Sequence, residues 1–131
     1  MLFEHTLRTE KEQMYDITSY VKEDLLKSGV KEGVCLIYCP HTTAGITINE
    51  NADSDVIRDV LFALEKSFPN HAQFRHMEGN SKAHVKCSFM GSSKTVIVTD
   101  GELLLGIWQS VFFAEFDGPR TRKFYVKVIE C

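Results

Sequence analysis

A chain of 131 residues is long enough for one well-packed core and too short for two ordinary domains, so residues 1–131 read as a single domain. With 44% hydrophobic and 25% charged residues, the composition is that of a folded globular protein rather than a disordered tail. A formal charge of -3 offers no basic field for nucleic acid or an anionic membrane, and the opening MLFEHTLRTEKEQ has no apolar run of signal or spanning length, which makes the cytoplasm the expected compartment.

Taken in chain order, Leu2 to Thr9 reads as a strand, followed by a short extended piece around Met14 to Ile17. Thr18 or Ser19 can cap a helix over Tyr20 to Lys27, with Val21, Leu25 and Leu26 on one face and Gly29 as its stop. GVCLIYC, residues 33–39, is a nearly all-apolar strand and is expected to be central. Its Cys35 and Cys39 fall on one strand face about 13 Å apart, too far for one disulfide or one metal, so they read as small core hydrophobes. Without a secretion signal, all four cysteines (Cys35, Cys39, Cys87 and Cys131) are expected to stay reduced.

After Pro40, His41, Thr42 and Thr43 lead into the β-branched segment GITIN. Asn51 or Asp53 then caps a helix over ADSDVIRDVLFALEKSF, in which Val56, Val60, Leu61, Leu64 and Phe68 recur at helical spacing until Pro69 and Asn70 end it. HAQFRHMEGN, residues 71–80, has no period and reads as loop. Asn80 or Ser81 caps a short helix, KAHVKCSFM, ended by Gly91.

The last third reads as strands: KTVIVTD, a turn at Asp100-Gly101, ELLLGIWQSVFFAEF, a turn at DGPR, and TRKFYVKVIE. Helices embedded among strands joined by hairpins give an α+β fold, a mainly antiparallel β-sandwich with two to three short helices. In WQSVFFAEF, Trp108, Phe112 and Phe116 share one face, and Val111 and Phe113 the other. Such a strand needs cover on both faces, from a second layer or another subunit.

Polar signals gather in HTTAGITINENAD and HMEGNSKAH. His41, Glu50, Asn51 and Asp53 stand in the first; His76, Glu78, Asn80 and His84 in the second. Imidazole with carboxylate is the ligand chemistry of zinc and similar divalent ions, although no helical His-x-x-x-His spacing is present. Each residue also has a plainer reading: His41 as a turn residue, His76 solvated, His84 bonded to a neighbour, and Glu50, Asn51 and Asp53 as helix-capping groups. EGNSKAH is also a loop leading into a helix, whose amides from Ser81 onward, with Lys82, Arg120 and Arg122, suit a phosphate; a capped surface helix and a basic turn is the alternative. His5 and His71 lack polar company and are assigned no role. Walker, dinucleotide and nucleophile-elbow motifs are absent.

HTTAGITINENAD, EGNSKAHVKCSFMGSS and LLLGIWQSVFFAEFDGPRTRK, in that order, resemble the YjbQ-like family, whose members are described as secondary thiamine-phosphate synthases; the resemblance runs from residue 1 to residue 129. It implies a β-sandwich with short helices, a homotrimer, and a metal-type pocket made from shared histidines. Carried over by position, these are His41, His76 and His84, with Glu50, Asn51 and Asp53 from the Asn-Glu-Asn segment. The family's G-T-W-Q stands here as Gly106, Ile107, Trp108 and Gln109, with isoleucine for threonine.

The activity so implied joins hydroxymethylpyrimidine diphosphate to thiazole phosphate and releases pyrophosphate. Glu50, Asp53 and Glu78 are then the candidate catalytic carboxylates. Asn51, Asn80, Ser81, Lys82, Arg120 and Arg122 are candidate phosphate or substrate contacts, and Trp108, Phe112 or Phe116 the apolar slot. A divalent ion, zinc by its ligand chemistry, is the expected cofactor, and a small phosphorylated metabolite the expected partner. Because a diphosphate-releasing enzyme usually uses magnesium on oxygen ligands, the synthase reaction is expected as a side activity of a metal-site enzyme acting on another metabolite. The alternatives are a non-catalytic metal- or metabolite-binding trimer and a metal-dependent hydrolase with Glu78 or Glu50 activating water.

Overall fold

The computed structural model describes residues 1–131 and has eight strands and three helices. They are β1 (Leu2–Thr9), β2 (Gln13–Asp16), α1 (Thr18–Ser28), β3 (Gly33–Tyr38), β4 (Ala44–Glu50), α2 (Ser54–Ser67), α3 (Ser81–Met90), β5 (Ser93–Thr99), β6 (Glu102–Leu103), β7 (Gln109–Glu115) and β8 (Arg120–Glu130). Every strand pair is antiparallel. One sheet runs β1-β8-β3-β5-β6 and the other β2-β7-β4.

The main core lies between the sheets. Cys35, Ile37, Val96, Val98, Phe124, Val126 and Val128 face Ile46, Val111 and Phe113 across it, and Val21 and Leu25 of α1 close one side. β3 is interior, between β8 and β5, as its unbroken apolar run requires. Cys35 and Cys39 are buried and unbridged, and burial pushes both thiols up to about 11.

A second apolar cluster covers the other face of the three-stranded sheet. Met14, Phe112, Ala114 and Phe116 pack there beneath Ala83, with Ile57, Val60, Leu61, Leu64, Cys87 and Met90 of α2 and α3 around them. The two bulky faces of β7 are thus covered within one chain. At β4, a Cβ on Gly45 would stand 2.6 Å from the Gly91 carbonyl oxygen, so only glycine lets the end of α3 come this close to the sheet.

Two local expectations change. The long strand over residues 102–116 is broken, because β6 belongs to the five-stranded sheet and β7 to the three-stranded one, and the chain must cross between them. The Gln109 side chain closes that crossing by accepting the Gly106 amide at 2.7 Å, which leaves Ile107 and Trp108 outside any strand and exposed. The start of α1 is capped neither by Thr18 nor by Ser19; Asp16 accepts from the Thr18 amide and hydroxyl at 2.9 and 2.6 Å, and Ile17 occupies the cap position. Asp53 caps α2 as expected, accepting from the Asp55 amide at 2.9 Å. No helix is long and apolar enough to cross a membrane.

Candidate functional site

β4 begins where the polar triplet His41-Thr42-Thr43 ends. On one side of that triplet lies the turn from β7 into β8, and on the other the loop that leads into α3. Together they enclose a cleft of about 310 Å³ lined by Pro40, His41, Thr42, Thr43, His76, Glu78, Asn80, His84, Arg120 and Arg122, with no hydrophobic side chain in the lining.

Arg122 is the fixed point of this cleft. Only 4% of it is exposed, and it meets Glu115, which is fully buried. Its Nε donates to Glu115 Oε1 at 2.7 Å, and its Nη2 donates to the other carboxylate oxygen and, at 2.9 Å, to the Thr43 hydroxyl. The Thr9 hydroxyl adds a 2.6 Å bond to Glu115. Burial alone would raise the Glu115 carboxyl, but the Arg122 and Thr9 hydrogen bonds outweigh it and hold the group below the usual range. A guanidinium clamped on its Nε and Nη2 side has little rotamer freedom left to lose when an anion reaches its remaining edge.

Arg120 is held more loosely at the rim, donating from Nη2 to Asp117 Oδ2 and from Nε to the Asp117 carbonyl, both at 2.8 Å. Asp117 also accepts from Asn80 Nδ2 at 2.7 Å, which ties the start of α3 to the β7–β8 turn. The other amide atom, Asn80 Oδ1, is buried and has no hydrogen-bond partner.

The histidines converge as well. The rings of His76 and His84 meet edge to face with centroids 5.1 Å apart, and His76 Nε2 stands 4.0 Å from a Glu78 carboxylate oxygen. His41 Nε2 accepts the backbone amide of Lys123 at 2.9 Å. Burial and the Arg122 charge lower the His41 pKa, so its ring is neutral near pH 7.

The other candidates lie elsewhere. Glu50, which is half-buried, and the exposed Asn51 and Asp53 lie at the far end of β4, about 20 Å from Ala44 at strand rise. Trp108 lies with them, its carbonyl accepting the Asn51 amide at 3.0 Å, while the Asn51 side chain donates to Asp16 at 2.8 Å. Lys82 turns away to Glu65 at 2.7 Å. Ser81 opens on a neighbouring recess of about 230 Å³ shared with Asn70, His71, Phe74, His76 and Gly79. Phe112 and Phe116 are core residues and form no slot.

Sequence reasoning missed Thr43, Glu115, Thr9 and Asp117. The available signal was Glu115 and Asp117 close before Arg120 and Arg122 in EFDGPRTR, with the two members of each ion pair on opposite sides of a tight turn. It also missed the 2.6 Å contact of His5 with the buried Asp24, for which no local pattern exists.

The model of the UPF0047 protein YjbQ-like family matches residues 3–131. The chain belongs to that family. It is 54% identical to a UPF0047 protein of Methanocaldococcus jannaschii over 130 residues, which is 98% of this chain and 94% of that one. With the UPF0047 protein YugU of Bacillus subtilis it shares 53% over 122 residues, 92% of each. A crystal structure of a YjbQ/UPF0047 protein of Clostridium acetobutylicum superposes with a TM-score of 0.95 at 54% identity, covering 97% of this chain and 99% of that one. The crystal structure of a hypothetical protein of Aeropyrum pernix superposes with a TM-score of 0.94 at 30% identity, covering 100% of this chain and 99% of that one.

Proposed function

We propose that the YjbQ-like cleft binds the phosphate or diphosphate end of a small metabolite, and that the protein is an enzyme acting on that group. The observation that carries this reading is Arg122, a buried guanidinium locked by Glu115 and Thr43 on the wall of a mainly polar cleft. Arg120 adds a second positive charge at the rim, and the imidazoles of His76 and His84 stand where a proton could be given to, or taken from, a phosphate-linked oxygen. Glu78, beside His76, is the carboxylate best placed to orient that ring.

Thiamine-phosphate synthesis fits this cleft less well. That reaction needs an apolar slot for the pyrimidine, and the aromatic residues expected to form one are either in the core or at the far end of β4. We therefore keep it as a side activity of an enzyme whose own substrate is another small phosphorylated compound. Calorimetric titration with inorganic phosphate and pyrophosphate is expected to show one site per chain, and turnover with the two thiamine precursors is expected to be slow. Saturating turnover at ordinary enzyme rates would overturn the side-activity reading, and absence of anion binding would overturn the site itself.

The divalent ion expected at His41, His76 and His84 meets a geometric objection. No three of the His, Cys, Asp and Glu side chains stand together as a metal-binding group. The only ligand set the cleft offers is His76 and His84 with Glu78 swung inward, a donor set that would select zinc over magnesium.

We also propose the homotrimer, on a separate observation. The face of the five-stranded sheet turned away from the core carries Val34, Leu36, Tyr38, Ile97, Tyr125 and Ile129 on adjacent strands, and Tyr38, Ile97 and Ile129 are 44%, 56% and 41% exposed. Large apolar side chains left exposed together on one sheet face suit contact with further copies of the chain. Sedimentation equilibrium is expected to give three chains; a monomer at micromolar concentration would sink the proposal.

A further inference from the structure

β3 ends at Tyr38, opposite Tyr125, and the chain then leaves the sheet through Cys39 and Pro40. The Lys123 amide, two residues along β8 from Tyr125, lies beyond that ladder, and His41 comes back to receive it at 2.9 Å on Nε2. A backbone amide can only donate. A ring nitrogen that accepts it must present a bare lone pair, so Nε2 carries no proton, and the single proton of a neutral imidazole sits on Nδ1. Neither the imidazolium nor the Nε2–H tautomer fits, since each would set two hydrogens against each other.

The same contact argues against metal ligation. A metal-bound histidine donates its second ring N–H to a carbonyl, a carboxylate or water. Here the partner of the second nitrogen is a donor, the reverse of that arrangement. For Nδ1 to take a metal it would have to give up its proton, and the proton would then have to go to Nε2, against the Lys123 amide.

We propose that the Lys123 amide locks His41 in the Nδ1–H tautomer, so that His41 presents a hydrogen-bond donor to the cleft and is not a metal ligand. The assignment rests on the anion-binding reading of the cleft only for what the donor meets, an oxygen of the bound phosphate group. With Arg122 it makes His41 part of a donor set for an oxyanion. Any metal would be left to the opposite wall, at His76 and His84.

Long-range nitrogen–proton correlation spectra of the ¹⁵N-labelled protein test this directly. The expected result is a His41 ring with a protonated-type Nδ1 and an unprotonated-type Nε2, unmoved when zinc is added alone. A protonated Nε2, or a zinc-induced shift of the His41 nitrogens, would overturn the proposal. Two variants add an independent readout. Asparagine places its amide nitrogen near the position of Nδ1 and glutamine near that of Nε2, so His41→Gln is expected to bind phosphate about tenfold more weakly than His41→Asn, a difference of roughly 1.4 kcal/mol. The opposite order would overturn the proposal. Failure of the unaltered protein to bind phosphate, with the Nδ1–H tautomer present and indifferent to zinc, would remove the anion-binding reading and leave the tautomer assignment standing.

Discussion

The two ends of β4 carry parts of one continuous motif and have been put to different uses. At its start, His41, Thr42 and Thr43 meet His76, His84, Arg120 and Arg122 in a mainly polar cleft. At its end, Glu50 is half-buried and Asn51 and Asp53 are exposed; Asp53 caps α2 and Asn51 bonds Asp16. The first end takes its partners from segments more than 30 residues away in sequence, and the second largely serves the local turn from strand to helix. Adjacency in sequence is thus a poor guide to a shared site when a strand lies between, because each residue adds about 3.4 Å of separation.

The largest test of that difference is Glu115→Ala. It would leave the buried Arg122 guanidinium without its carboxylate, and breaking a buried pair in this way costs about 3–5 kcal/mol. Urea denaturation should show that loss, and phosphate binding should fall with it, since Arg122 would no longer be fixed. A change under about 1 kcal/mol would mean that solvent reaches Arg122 and that the cleft end is no more constructed than the far end. Arg122→Lys is next in size. The ammonium keeps the charge but cannot span Glu115 and Thr43 together, so phosphate affinity should drop about tenfold with the fold intact. Equal affinity would reduce the role of Arg122 to charge alone.

Much of the fold was legible because the signals were local. The apolar run of GVCLIYC marked a central strand, the spacing of Val60, Leu61 and Leu64 marked the half-buried face that α2 packs on the sheet, and Asp100-Gly101 marked a hairpin. Trp108 was misplaced because apolar alternation continues across Gly106, and nothing local records that the chain changes sheets there. The cleft was half legible. His41, His76, His84, Arg120 and Arg122 could be singled out as residue types, but the clamp that turns Arg122 into a site depends on Glu115, Thr9 and Thr43, brought together by pairing over as many as 106 residues. The family resemblance supplied the grouping of the histidines that spacing could not. It also carried over Glu50, Asn51 and Asp53, which stand apart from the cleft within one chain.

At the far end the expected effect is smaller and of a different kind. Asp53→Ala removes the side-chain acceptor at the start of α2 and should lower stability by about 1 kcal/mol in a urea melt. Phosphate affinity should stay within error of the unaltered protein. If it fell with Asp53 while stability did not, the two ends of β4 would be coupled through assembly, with one subunit's far end completing another's cleft.

The smallest effect separates the ends by pH. Asp117 sits at the cleft end, where burial would raise its carboxyl but the hydrogen bonds from Asn80 and Arg120 hold it below the usual range. A carboxylate depressed in the folded state contributes stability that is fully present above its unfolded pKa of about 3.9 and is lost as pH falls through the folded value. Asp117→Asn should therefore flatten the acid limb of the stability curve below about pH 4. At neutral pH the same substitution removes the ionic partner of Arg120, so it should alter phosphate affinity modestly. The side chain of Asp117 is 29% exposed and Arg120 more so, so solvent screening keeps the contribution of this ion pair below about 1 kcal/mol. Parallel acid limbs in the two proteins would mean that the Asn80–Asp117–Arg120 chain is not held in solution, and that only the Glu115–Arg122 clamp distinguishes the cleft from the opposite end of the strand.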